Sequence, residues 1–241
     1  MRYLISPDKK LCLFWTPKCG CSTAVEIFFK YIDYDYSKFE WIHDARNIYQ
    51  QTQLTEIPPE AIKIQIVRNP YNRAISSFLY YFYRRYKEFD SKILKEKIQK
   101  RSETYHVYNN QKITRLAFEF FIFISFVKHP MFASKRLDKQ LFEELIFHSQ
   151  RQFRIESLDF IIKLENLESD LILFNNEFNF SLQPANYSEH SFKKEFGEEL
   201  YNLFFQQIFS FQPNIDNVKY VYKKDFQFFN YNIEINTNNI I

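Results

Sequence analysis

The run Leu11-Cys12-Leu13-Phe14-Trp15-Thr16-Pro17-Lys18-Cys19-Gly20-Cys21-Ser22-Thr23 decides the reading of this 241-residue chain. Its first five residues are apolar and lie between Lys10 and Pro17, which predicts a short buried strand. Val25, Phe28, Phe29 and Ile32 then recur at i, i+3, i+4 and i+7. That spacing predicts an amphipathic helix, with Ser22 or Thr23 able to cap its start. The unit is strand, loop, helix. Backbone N–H groups at such a helix N-terminus point into the loop, and the helix dipole favours negative charge there. Gly20 lets the backbone approach a ligand closely. Cys21, Ser22 and Thr23 are small, two of them carry hydroxyl donors, and Lys18 can set a cation on a bound anion. The loop is not GxxxxGK[ST], because Lys18 precedes the glycine, and it is not GxGxxG. Taken alone, it is equally well an ordinary strand-to-helix turn.

Working outward, a second unit of the same kind follows. Ile62–Val67 reads as a strand after the Pro58-Pro59 breaker. Ile75, Phe78, Leu79 and Phe82 share one helix face. Between them, Arg68 stands at a strand end, where a guanidinium can make a two-pronged pair with phosphate. Pro70 suits the first helical position, where its missing N–H costs nothing. Ser76 falls about two turns into that helix, off the apolar face, and is expected to aim at the same crevice as Arg68. Residues 83–101 read as a charged, mostly helical surface and Thr104–Lys112 as a polar loop. Leu116, Phe120, Phe123 and Val127 mark another helix. Phe160–Leu164 is a third strand, and 166–178 a helix after it. Leu200, Leu203, Phe204, Ile208 and Phe211 mark a late helix, with Gly197 in a helix-like stretch. Strands alternating with helices predict an α/β fold, a parallel sheet with helices on both faces. Ligands in such sheets bind beyond the carboxyl ends of the strands.

Composition narrows the function. A formal net charge of +3 does not suggest a dedicated nucleic-acid binder. The three cysteines, Cys12, Cys19 and Cys21, are odd in number and close together, which argues against a disulfide framework and for a reducing, cytosolic compartment. They also fall short of the four ligands of a closed zinc site. Residues 1–15 lack an apolar run long enough for a signal peptide or membrane span. The most apolar stretch, 116–127, is too short to span and contains Glu119. No repeat or linker divides the chain, so a single domain over 1–241 is expected.

With both loops in view, a resemblance becomes specific. Thr16–Thr23 (TPKCGCST) resembles the 5′-phosphosulfate loop of sulfotransferases that use PAPS (3′-phosphoadenosine-5′-phosphosulfate). Ile66–Phe78 (IVRNPYNRAISSF) is similar to the 3′-phosphate motif of that family, an Arg at a strand end with a Ser eight residues on. Order and separation also match. The likeness is greatest to the carbohydrate branch, the Golgi enzymes with their bacterial and viral relatives. Downstream, His148 and Gln152 resemble an H-x-x-x-Q element, residues 158–167 a segment ending in Glu before a helix, and residues 221–226 the family's aromatic C-terminal ending.

The resemblance implies a P-loop NTPase-like three-layer α/β/α sandwich with a central, mostly parallel sheet. It implies transfer of a sulfuryl group from PAPS to a hydroxyl, less often an amine, on a saccharide or glycan, with adenosine 3′,5′-bisphosphate as product and no metal. Lys18, Cys19, Gly20, Cys21, Ser22, Thr23, Arg68 and Ser76 would bind the donor. Lys18 would also stabilise the leaving oxygen, and His148 and Gln152 would face the acceptor. A hydroxyl acceptor needs a base. Among His43, His106, His129, His148 and His190, the resemblance favours His43, between the two motifs. His148 is second, and Glu40 and Asp44 stay open as carboxylate alternatives. The expected setting is cytoplasmic, a soluble enzyme of bacterial or viral type. A P-loop-like nucleotide kinase and a catalytically inert anion- or glycan-binding domain remain the competing readings. Acceptor and oligomeric state are not legible.

Overall fold

The structure, a computed structural model, describes residues 2–40, 42–51, 57–85, 91–128, 158–185 and 197–235. They fall into two compact units, Met1–Asn69 with His148–Ser188, and Pro70–Phe147 with Glu189–Ile241.

The first unit is built on a five-stranded sheet. Its strands are β1 (Arg2–Ile5), β2 (Leu11–Trp15), β3 (Gln50–Gln51), β4 (Ile62–Val67) and β7 (Phe160–Lys163), in the order β3-β1-β2-β4-β7. β2, β4 and β7 run parallel, while β1 lies antiparallel to β2 and β3 antiparallel to β1. The result is a mixed α/β fold with parallel strands at its centre and helices flanking them. All five residues of β2 are buried, as a central strand covered on both faces requires. Alternation divides them. Leu11, Leu13 and Trp15 join Ile64, Ile66 and Ile162 under two helices, α1 (Cys21–Tyr31) and α6 (Leu167–Phe178). Cys12 and Phe14 pack with Tyr3 and Ala61 on the other face. Val25, Phe28 and Phe29 of α1 are wholly buried, as their spacing predicts.

A short helix, α2 (Ile42–Ala45), follows α1. Ala45 is buried in the same core, and the Tyr49 ring just beyond lies 5.8 Å from Phe28 and 6.1 Å from Phe29. α2 is thereby held against α1.

Three sequence readings change in this unit. β1 and β3 have no counterpart among the expected strands; both are too short to show a period. The helix α1 begins at Cys21 with Gly20 as its N-cap, so Ser22 and Thr23 sit inside its first turn rather than capping it. Strand β7 ends at Lys163, because Leu164–Asn166 tightens into a 3₁₀ turn leading into α6.

Among the described residues the second unit is helical with one hairpin. Its helices are α3 (Pro70–Arg85), α4 (Ser91–Glu103), α5 (Arg115–Lys128), α7 (Glu198–Phe209), α8 (Gln212–Val221) and α9 (Lys223–Phe228). Pro70 opens α3. Ile75, Phe78 and Leu79 of α3 pack with Leu116, Phe120 and Phe123 of α5 and with Phe204 and Ile208 of α7. The expected loop at 104–112 is instead a hairpin, β5 (Tyr105–Tyr108) with β6 (Gln111–Thr114). Asn109 and Asn110 both take positive φ, 46° and 62°, the geometry of a two-residue turn between twisted strands. Tyr105 and Val107 are exposed while His106 and Tyr108 are half-buried, an alternation that the polar composition hid. Gly197 is not inside a helix: at φ 91° and ψ 156° it is the N-cap of α7.

The second unit also buries an ion pair. Arg73 Nη1 lies 3.2 Å from Asp225 Oδ2, with both residues almost wholly buried. The guanidinium stands 5.2 Å from the Tyr222 ring centroid, within cation–π range. Arg73 of the Ile66–Phe78 motif and the C-terminal ending at 221–226 thus form one structural contact. Among the described residues no helix is long and apolar enough to cross a membrane.

Removing the carboxylate in Asp225→Ala leaves a buried cation without its counter-ion, and should cost about 3–5 kcal/mol in urea unfolding. A loss below about 1 kcal/mol, the level of an exposed pair, would contradict this account of the contact.

Candidate active site

The parallel ladder fixes where the two sequence motifs meet. Trp15 is the register partner of Ile66, and Val67 of Lys163. β2, β4 and β7 therefore end side by side at one edge of the sheet. The loop Thr16–Gly20 leaves the first, Arg68 the second and the turn Leu164–Asn166 the third. This is the edge where α/β sheets bind ligands.

The first loop is held from within. Thr16 is buried, its backbone carbonyl accepts the N–H of Cys19 at 3.1 Å, and its hydroxyl donates to Cys19 Sγ at 3.0 Å. Lys18 and Gly20 both adopt positive φ, 68° and 76°. For Lys18 that conformation is strained. For Gly20 it is free of the Cβ clash that penalises other residues. A Cβ at Gly20 would also stand 2.9 Å from Leu164 Cδ1. The left-handed turn is what calls for glycine here; the Leu164 methyls, at the end of a flexible side chain, could give way to a Cβ.

Gly20 starts α1, and no acidic residue lies in the first turn of that helix. The positive end of the helix dipole is thus not offset there by a carboxylate. Arg68 Nη1 donates to the backbone carbonyl of Lys18 at 3.3 Å, so the strand-end arginine lies directly against the first loop. Lys18 is partly buried, and burial lowers its pKa to about 8; Cys21 opposes that shift and the Arg68 charge adds to it. Two cations and a helix N-terminus converge, an arrangement suited to polyanionic groups.

The third strand end braces the other two. Leu164 covers Gly20. Glu165 Oε1 accepts the backbone N–H of Asn69, the residue after Arg68, at 2.7 Å. Asp170 Oδ2, in the first turn of α6, accepts the N–H of Lys163 at 2.7 Å and fixes that turn in place.

The first unit therefore brings together Lys18, Cys19, Gly20, Cys21, Ser22, Thr23 and Arg68. Ser76 lies buried on α3 in the second unit. His43 is on α2, with its side chain outside the described residues, as are His148 and Gln152 entirely. Glu40 and Asp44 are exposed. Of the five histidines only His106 has a described side chain; it stacks on Phe118 with 5.2 Å between ring centroids. Among the described residues no group of His, Cys, Asp or Glu could hold a metal ion.

The sequence reading did not give weight to Leu164 or Glu165 as neighbours of the two loops. The signal was the parallel pairing of β7 with β4, which aligns Lys163 with Val67 and so sets the next residues beside Arg68.

The Sulfotransferase family model matches residues 1–232. The chain belongs to the sulfotransferase family. Its members are enzymes that move a sulfuryl group to an acceptor, with PAPS as the family's donor and a P-loop-like fold, to which the β2–loop–α1 unit of this sulfotransferase corresponds. No curated protein and no solved structure matches the chain.

Gly20→Ala forces an L-residue into the left-handed region and should destabilise the sulfotransferase by about 1–2 kcal/mol, read as a lower denaturation midpoint. An unchanged midpoint would contradict the geometry assigned to Gly20.

Proposed function

We propose that the protein transfers a sulfuryl group from PAPS to a hydroxyl of a saccharide and releases adenosine 3′,5′-bisphosphate. One observation carries the reading: Lys18 and Arg68 stand together beside an α1 N-terminus that has no acid in its first turn. The saccharide acceptor rests on the branch resemblance of the two motifs.

In this reading the N–H groups of α1, the loop Lys18–Thr23 and the Lys18 ammonium take the 5′-phosphosulfate. Arg68 takes the 3′-phosphate by paired, charge-assisted hydrogen bonds. Ser76 is assigned to the same phosphate on the sequence motif alone. The fit has a physical basis in the residues themselves. Left-handed Gly20 turns the chain into the α1 N-terminus, and the Lys18 and Arg68 charges are opposite in sign to the ligand. Fixing the donor at both ends supplies the orientation that a transfer between two bound partners requires.

The acceptor oxygen attacks sulfur in line, and the bond from sulfur to the 5′-phosphate oxygen breaks. The electron pair stays on that oxygen, where Lys18 and the α1 N–H groups meet the growing charge. The hydroxyl proton passes to a base. We assign that role to His43, with His148 second and Glu40 or Asp44 as carboxylate alternatives. A reducing compartment suits the chain, whose cysteines form no disulfide.

Lys18 adds a pH dependence. Its depressed pKa of about 8 means that the ammonium begins to lose its proton just above neutrality. An anionic ligand favours the ammonium, so ligand binding near pH 8 takes up a proton. Between about pH 7, where the ligand phosphates are almost fully ionised, and pH 8 the affinity for adenosine 3′,5′-bisphosphate is expected to be nearly level, and to fall as pH rises above 8. Calorimetry in buffers of differing ionisation enthalpy measures the uptake directly; no uptake at pH 8 would exclude Lys18 from the anion site.

The function itself is tested by thermal shift. Adenosine 3′,5′-bisphosphate should raise the melting temperature, as a ligand of the native state does, and ATP with Mg²⁺ should not. The reverse pattern would indicate a nucleotide kinase. Stabilisation by the bisphosphate with no transfer of label from PAPS would indicate an inert binding domain. His43→Ala should bind the bisphosphate normally and lose turnover; unchanged turnover removes His43 as the base.

A further inference from the structure

The turn after β7 touches both anion-binding loops, although neither sequence motif includes it. Leu164 lies against Gly20 and Glu165 holds the N–H of Asn69. We propose that Glu165 is a positioning residue for donor binding: it fixes the peptide after Arg68 and so aims the Arg68 guanidinium. The proposal rests on the reading of Arg68 as a phosphate ligand given above.

The geometry supports a positioning role in three steps. Arg68 is the first residue after β4, two before Pro70 opens α3. A residue at a strand end has no following ladder bond to set its peptide plane. Glu165 Oε1 supplies that bond at 2.7 Å from Asn69 N, a hydrogen bond strengthened by the charge of its acceptor. At its other end the Arg68 side chain rests on the carbonyl of Lys18 at 3.3 Å. Arg68 is thus located by its backbone through Glu165 and by its guanidinium through the first loop.

The brace is itself anchored. Asp170 ties the end of β7 to α6, and Leu167, Leu171 and Phe174 bury α6 in the sheet core. Glu165 is exposed, so its removal leaves no cavity and no buried unpaired group. An exposed carboxylate with a purely structural role would show only a small stability change. A positioning residue should instead alter affinity with little change in melting temperature.

The test compares Glu165→Ala, Glu165→Gln, Arg68→Ala and the double variant Arg68→Ala/Glu165→Ala, with adenosine 3′,5′-bisphosphate as the probe in calorimetry. Glu165→Ala should weaken binding about tenfold, the scale of one charge-assisted hydrogen bond, with a matching rise in KM for PAPS and little change in kcat. Glu165→Gln keeps an acceptor oxygen and should recover most of that loss. In the Arg68→Ala background, Glu165→Ala should cost nothing further, because a residue that acts through Arg68 has nothing left to aim. If Arg68→Ala weakens binding but Glu165→Ala does not, or if the two losses add, the positioning role is overturned. If Arg68→Ala itself leaves affinity unchanged, the fault lies in the assignment of Arg68 to phosphate.

Discussion

The parallel pairing of β2, β4 and β7 is the constraint on which the candidate site depends. Because the strands share a direction, their chain exits share an edge. Segments distant in sequence, at 16–20, 68–69 and 164–165, meet there without a long-range motif to announce it. The hydrophobic run of β2 drives that arrangement. A strand with all five residues buried has to be central, and a central strand has a neighbour on each side. The site is then completed by conformation. Left-handed Gly20 turns the chain into α1 at the edge where Arg68 emerges, and Leu164 closes over the glycine.

The two arginines of the second motif show how one segment divides its work. Arg68 stands at a strand end, against a loop carbonyl, near a second cation and a helix N-terminus. Arg73, five residues on, is sealed against Asp225 and Tyr222. Arg73 is enclosed with its counter-ion, whereas Arg68 lies against the loop that leads into α1. The C-terminal ending is accordingly a structural partner of the motif.

Much of this was legible in the sequence, for identifiable reasons. LCLFW followed by the 3.6-residue period of Val25, Phe28, Phe29 and Ile32 is a strong local signal, and it located the loop between them. Pro70 marked the start of α3 because its ring suits a first helical position. What escaped the reading lacked a local signal. Strands of four and two residues carry no measurable period. The alternation of Tyr105–Tyr108 was masked by polar neighbours, and its turn used Asn-Asn rather than glycine. Glu165 could be recognised as a neighbour of Asn69 only through the pairing of β7 with β4, a tertiary fact. Likewise, Ser22 and Thr23 looked like caps by residue type, but the left-handed glycine two residues earlier had already begun the helix.

The central claim is that Lys18–Thr23 and Arg68 form a clamp for a nucleotide carrying phosphate at both its 5′ and 3′ positions. The most direct measurement is a ligand-by-variant cycle: affinities of adenosine 3′,5′-bisphosphate and adenosine 5′-monophosphate for the unaltered protein and for Arg68→Ala. The account predicts that the unaltered protein prefers the bisphosphate, by about tenfold or more, and that Arg68→Ala abolishes the preference while still binding the monophosphate. Equal affinity for the two ligands in the unaltered protein, or a preference that survives the loss of Arg68, would contradict it.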